Sequence, residues 1–193
     1  LITLLISFGA FIPELIALLL AIVFALLKTF RNNVIIHNFT EVFIYGGLAA
    51  IFVPILSIWS IVILLILISI YDFIAVWKTK HMVSMAKFQM KSKMFAGLSV
   101  PYSVKHLGNN KGVSKLRKVQ EAILGGGDIA FPLMFSGVML RNFGFLSAII
   151  TSITAALALL VLFILAKKKK FYPAMPFISV GCFVGYFIVS LIL

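Results

Sequence analysis

Cysteine and acidic residues are scarce in this chain of 193 residues. Cys182 is the only cysteine, which excludes an internal disulfide and any cysteine-rich metal site. Aspartate and glutamate number 5 against 17 lysines and arginines, so the formal net charge is +12. Charged residues make up only 11% of the sequence, whereas 63% is hydrophobic. Water-soluble domains of this size do not have such a composition, which indicates a multi-pass membrane protein.

Six apolar segments follow a short N-terminal stub, and a membrane-spanning helix needs roughly 20 apolar residues. We therefore predict an all-α membrane protein, a polytopic transmembrane helix bundle of about six spans in one domain over residues 1–193. Residues 78–119 are predicted to be a basic loop, either flexible or with an amphipathic stretch at 81–95 on the membrane surface. The predicted spans are about 12–28, 39–53, 55–77, 120–140, 145–166 and 173–193, after a stub at 1–8.

Two details concern the beginnings of segments. The chain starts at Leu1 inside apolar sequence, with no charged leader region and no A-x-A cleavage site, so we expect an N-terminal truncation rather than a signal peptide. Asn38, followed three residues later by Glu41, resembles a capping box at the start of the second span. This pattern predicts a structural role for Glu41.

The distribution of basic residues predicts the orientation in the membrane. With six alternating spans, 16 of the 17 lysines and arginines fall in the three gaps on one face, and Arg141 alone falls on the other. Cytoplasmic loops carry the excess of lysine and arginine. The sixteen-residue face, including the 78–119 loop, is therefore predicted to be cytoplasmic and the C-terminus to lie on the opposite side. This clustering is typical of membrane loops and does not favour a nucleic-acid partner.

The only two aspartates, Asp72 and Asp128, both lie inside predicted spans. A carboxylate in a lipid-embedded helix costs roughly 2.5–3.5 kcal/mol on insertion scales, so it is rare and suggests function. At 1.5 Å per residue, Asp72 is ~9 Å from Lys78 and Asp128 is ~12 Å from Gln120, at the same face. The two carboxyl groups are expected to meet. A pair that shares one proton can activate water for general acid–base hydrolysis.

Glycine and proline cluster around the same depth. Gly125, Gly126 and Gly127 leave a bare surface that another backbone can approach, although small residues also serve ordinary helix packing in membranes. The segment Pro173-Ala174-Met175 begins the last span, and proline is also common at any helix start. No histidine lies near either aspartate inside a span, so we expect neither a metal nor another cofactor.

Together these residues resemble the GxGD intramembrane aspartyl proteases, the presenilin and signal peptide peptidase family, and most of all its archaeal presenilin homologues. Tyr71-Asp72 matches the YD motif, Gly125 to Asp128 match GxGD, and Pro173-Ala174-Met175 matches PAL with methionine for leucine. Gly126 replaces the usual bulky residue at the variable position. The resemblance covers nearly the whole chain and places its six segments on spans four to nine of the presenilin fold. It implies an aspartic endopeptidase that cleaves single-span membrane peptides, with the PAL segment positioning substrate.

Three other interpretations stay open. A prepilin-peptidase-like GxGD protease shares the aspartates but not the PAL-like segment. A carboxylate-lined channel or transporter needs a polar path, and no internal repeat supports an inverted-repeat transporter. An inactive, truncated paralogue that binds other proteins is the third. The physiological substrate, the oligomeric state and any accessory subunits are not readable from the sequence.

Overall fold

A computed structural model describes residues 1–30, 34–77, 97–102, 120–165 and 172–192. Over these residues the chain forms helices and one two-stranded antiparallel sheet. This agrees with the predicted all-α membrane bundle. The elements are α1 (Ile2–Gly9), α2 (Glu14–Phe30), α3 (Val34–Phe52), α4 (Ile58–Trp77), β1 (Gly97–Tyr102), β2 (Gln120–Gly125), α5 (Gly127–Phe143), α6 (Phe145–Leu165) and α7 (Ala174–Ile192).

Four helices in the described ranges, α3, α4, α6 and α7, are long and apolar enough to cross a membrane. The helices α2 and α5 have 17 residues each and lie in the same bundle. Large apolar side chains cover the outside, including Trp59 at 77% exposure and Ile164 at 74%. In water such a surface would aggregate, whereas in a bilayer it faces lipid tails. The chain is an integral membrane protein.

Small residues allow α6 and α7 to approach closely. A Cβ atom added to Gly181 would lie 2.6 Å from the Ala158 Cβ, and one added to Gly185 would collide with the Thr154 side chain. The two glycines are four residues apart and share one face of α7. Lipid provides no hydrophobic drive between helices, so close van der Waals packing of this kind holds them together. The α6–α7 pair thus holds in place the helix that begins with Pro173-Ala174-Met175, which we call the PAM segment.

The hairpin β1–β2 was not predicted. Residues 78–119 were expected to be a loop and 120–140 a helix, but 97–102 and 120–125 are strands that pair from Gly97↔Gly125 to Tyr102↔Gln120. The physical reason is the glycine run after Leu124. Each glycine costs roughly 1 kcal/mol against alanine in a helix interior, so the helix starts only at Gly127 and the preceding residues pair with β1 instead. The possible amphipathic stretch at 81–95 lies outside the described residues.

The predicted capping box at Asn38 is wrong. The helix α3 already begins at Val34, so Asn38 lies inside it and Glu41 is not in its first turn. Glu41 is 3% exposed and forms an ion pair of 2.5 Å with Lys28 from α2. A partner from another helix satisfies this carboxylate, which a local pattern does not reveal. The second span is correspondingly longer than predicted.

Candidate active site

Asp72 is held by the first turn of the last helix. Its side chain is 5% exposed, and the backbone N–H of Met175 donates a hydrogen bond of 3.1 Å to Oδ2. Ala174, the first residue of α7, directly precedes this donor. The first amides of a helix have no partner within it, and the positive end of the helix dipole attracts an anion. The start of α7 is therefore built to receive the carboxyl group of α4.

Two prolines flank the helix start that holds Asp72. Pro173 is buried and directly precedes α7. Pro176 occupies the third position of the helix, where it has no N–H to satisfy. The amides of Ala174 and Met175 are the first two in the helix, and that of Met175 donates to the carboxylate.

A second contact fixes the register of α4 against α7. The hydroxyl groups of Ser69 and Ser179 are 2.7 Å apart and form a hydrogen bond. Ser69 lies three residues before Asp72, and Ser179 lies four residues after Met175, so each shares a helix face with its neighbour. Hydrogen bonds between membrane helices hold their relative position. The Asp72–Met175 contact therefore lies within a wider polar seam.

Asp128 is the second residue of α5, rather than two turns inside a helix as the sequence suggested. The backbone of Gly125 lies next to its carboxylate, since a Cβ added to Gly125 would lie 3.1 Å from Oδ2. The side chain thus folds back towards the end of β2. Glycine at position 125 leaves room for it. The depth calculated from Gln120 was wrong because residues 120–125 are extended.

The two carboxyl groups converge although that calculation failed. Asp72 and Asp128 are close enough to interact electrostatically. The Met175 side chain reaches the other motif, since its Cε would lie 3.6 Å from a Cβ added to Gly127. The PAM segment therefore contacts both aspartate-bearing elements, through its backbone on one side and its side chain on the other. Two neighbouring carboxyl groups can activate and orient a water molecule.

A cavity of about 840 Å³ opens beside the start of α5, between α2, α3, α4 and α5. Gly126 and Gly127 form part of its wall. Most of the remaining wall is apolar, but three polar side chains, Lys28, Glu41 and Tyr45, also line it. Within the part of the chain that the structure describes, no group of three or more His, Cys, Asp or Glu side chains is arranged to hold a metal ion.

Comparison with known families gives a match over the whole chain. A sequence model described as "Signal-peptide peptidase, presenilin aspartyl protease" matches residues 1–193, the whole chain. The chain belongs to this family. Its members are intramembrane aspartyl proteases, which agrees with the resemblance seen in the three motifs. A search of curated proteins found no match.

The three motifs of this signal-peptide peptidase and presenilin chain do not contribute equally to the site. Asp72, Asp128, the glycines and the PAM segment come together. Tyr71 is 65% exposed and does not face the carboxyl groups, because neighbouring residues of a helix point about 100° apart. The structure thus gives no contact that explains the tyrosine of the YD motif.

Sequence reasoning missed the polar side chains of the cavity. Glu41 was interpreted as a helix cap, and neither Lys28 nor Tyr45 was considered as part of a site. A signal was available, since Glu41 is one of only three glutamates and lies in apolar sequence. Buried charge in a membrane helix is costly wherever it occurs. The same argument that makes the aspartates candidate functional residues therefore applies to Glu41.

Proposed function

We propose that this chain is an intramembrane aspartic endopeptidase in which Asp72 and Asp128 are the catalytic dyad. One observation supports the proposal: two carboxyl groups from different helices lie close enough to interact electrostatically, and one of them accepts a hydrogen bond from the PAM segment. Membership of an aspartyl protease family supports it. The substrates are peptides that span the membrane once, and the reaction is hydrolysis of a peptide bond.

The chemistry needs one ionised and one protonated carboxyl group. Like charges at short range in a low dielectric favour this state, in which the pair shares a proton. The ionised group removes a proton from water, whose oxygen attacks the carbonyl carbon, while the protonated group gives its proton to the carbonyl oxygen. Collapse of the tetrahedral diol breaks the C–N bond, and the leaving nitrogen takes a proton from the dyad. The titration belongs to the pair, so neither aspartate is assigned one role.

Substrate positioning is proposed for the residues around the dyad. Peptide bonds inside a helix are shielded, so the substrate must unwind and expose its amides and carbonyls. Unpaired backbone groups are costly at membrane depth. The hairpin strand β2 runs directly into Gly125, Gly126 and Gly127, and an extended peptide can pair with such a strand or with the backbone near Pro173 and Ala174. Met175 keeps the apolar character of the leucine that it replaces.

The proposed orientation of the protein in the membrane depends on which elements share one end of the bundle. The C-terminal end of α4, the hairpin and the starts of α5 and α7 form one end of the bundle. His37 near the start of α3 joins this end through its hydrogen bond of 3.0 Å to the Gly97 carbonyl. We place this end, and the basic gaps, on the cytoplasmic side, and the C-terminus on the opposite side.

The test is hydrolysis by the chain itself. The purified protein in lipid vesicles should cleave a synthetic single-span peptide, and mass spectrometry should show new termini inside the span. A hydroxyethylene-type transition-state analogue should inhibit, because such compounds mimic the tetrahedral diol. Absence of cleavage in vesicles of several lipid compositions, or cleavage that the analogue does not affect, would contradict the proposal.

A further inference from the structure

The cavity beside the start of α5 has a polar patch formed by α2 and α3. This patch consists of Lys28 from α2 and of Glu41 and Tyr45 from α3, whereas Ile44, Leu48 and Phe52 form the apolar part of the α3 wall. The ammonium of Lys28 pairs with the Glu41 carboxylate, so these two charges neutralise each other. The hydroxyl of Tyr45 remains.

Tyr45 is buried without a hydrogen bond. Its side chain is 7% exposed, and among the described residues its hydroxyl is the one buried side-chain polar atom that lacks a partner. Glu41, one turn earlier, is a polar neighbour, but no hydrogen bond of ordinary geometry joins the two. An unpaired buried hydroxyl costs free energy and calls for an explanation. Since this residue lines a cavity, a bound molecule can supply the missing partner.

The cavity places Tyr45 together with the glycines that precede Asp128. Gly126 and Gly127 line the same cavity as Tyr45, and Asp128 follows them directly in the chain. A peptide in this cavity would therefore pass both the Tyr45 hydroxyl and the start of the helix that carries Asp128.

We propose that Tyr45 is a substrate-positioning residue, whose hydroxyl hydrogen-bonds to the main chain of the unwound substrate in the cavity that Gly126 and Gly127 also line. This inference rests on the proposed protease function. The occupant is a peptide rather than a lipid tail, because an acyl chain would fit the apolar wall but leave the hydroxyl unpaired. An extended peptide, in contrast, brings carbonyl and N–H groups that need a partner at this depth. The Lys28–Glu41 pair keeps the neighbouring carboxylate occupied.

The first experiment replaces Tyr45 by phenylalanine, which keeps the ring and removes only the oxygen. We expect kcat/KM for a single-span peptide in vesicles to fall roughly threefold to tenfold, the range for one neutral hydrogen bond, mainly through KM. The thermal unfolding midpoint should stay the same or rise, because the lost hydroxyl has no partner in the free protein. Tyr186→Phe is the matched control, since Tyr186 packs against Phe143 at the far end of α5 and should leave both values unchanged.

Two results would overturn the inference. One is a wild-type kcat/KM in Tyr45→Phe. The other is a loss of cleavage that accompanies an equal loss of thermal stability, which would show that the hydroxyl supports the fold instead of the substrate.

The second experiment measures binding without turnover. A photoreactive phenylalanine analogue in place of Leu48, in an Asp128→Asn background, should capture the same labelled peptide, and Tyr45→Phe should reduce that capture. If cleavage requires the two aspartates but Tyr45→Phe leaves peptide capture unchanged, this inference alone is refuted. Capture that depends on Tyr45 in a chain that never cleaves would refute the proposed protease function alone. If the protein shows no cleavage and no capture, both the inference and the proposed protease function are refuted.

Discussion

The backbone N–H of Met175 donates a hydrogen bond of 3.1 Å to the carboxylate of Asp72, 103 residues earlier in the chain. The side chain of the same methionine approaches Gly127, next to Asp128. One residue of the last helix thus joins the two elements that carry the aspartates. This arrangement gives the PAM segment a physical role, because its helix start supplies donors that a buried carboxylate otherwise lacks.

Replacement of either aspartate by asparagine should stop hydrolysis. Asp72→Asn and Asp128→Asn should each lower the cleavage rate by at least roughly 100-fold, since each removes a proton-transfer group. The asparagine oxygen at position 72 can still accept the N–H of Met175, and asparagine at position 128 keeps the shape of the side chain, so thermal unfolding midpoints should stay close to that of the wild type. Cleavage of a single-span peptide and thermal unfolding are measured on the same preparations. A wild-type rate in either variant would remove that aspartate from the mechanism.

Two neighbouring glycines should respond differently to alanine. A Cβ at Gly125 would lie 3.1 Å from Asp128 Oδ2, which is closer than ordinary contact and forces the carboxylate to move. A Cβ at Gly127 would meet Phe131 at 3.4 Å and Met175 at 3.6 Å, both ordinary contacts. We therefore expect Gly125→Ala to lower kcat clearly more than Gly127→Ala, because a misplaced catalytic group is costly. Equal rates in the two variants would show that the Gly125 contact does not position Asp128.

Much of the fold can be predicted from local sequence. The main error of that prediction, the missed hairpin, has a non-local cause. The apolar runs around Trp59 or Phe145 can only be spans, because a bilayer requires every backbone group to be paired inside its own helix. The strand 120–125 continues directly into an apolar run and looks like the start of that helix. Its pairing partner, Gly97–Tyr102, is separated by residues 103–119, and no local pattern announces such a partner.

The candidate site was predictable to the extent that its residues are rare. Two aspartates in apolar sequence are predicted to be functional, because a charge in a membrane-spanning helix is costly. The roles of Gly125 and of the Met175 amide depend on backbone positions in three dimensions, which residue type does not encode. Glu41 illustrates the limit, since the capping pattern that explains it locally is overridden by Lys28 from the neighbouring helix.

The α6–α7 interface should be sensitive to a single added methyl group. Gly185→Ala places a Cβ against the Thr154 side chain and 2.8 Å from the Thr151 Cα atom. Backbone cannot move aside as a side chain can, so overpacking should cost about 1–3 kcal/mol of stability. The measurement is the thermal unfolding midpoint in detergent. Gly9→Ala is the control, because nothing lies within 4 Å of its Cβ position. Equal midpoints would mean that the two helices are not closely packed at Gly185.

The PAM segment should tolerate a change of side-chain shape at Met175 but not a large increase of side-chain size at Ala174. Met175→Leu keeps volume and polarity close and leaves the backbone N–H that Asp72 accepts, so cleavage and stability should stay near wild type. Ala174→Trp introduces a large side chain at the first position of α7, next to the amide that donates to Asp72, and should displace the helix start from the carboxylate. We expect strongly reduced cleavage in a protein that still unfolds cooperatively. The assay compares both variants with the wild type in vesicles, with expression and detergent stability measured in parallel. Full activity in a folded Ala174→Trp would reduce the segment to an ordinary helix start without a part in catalysis.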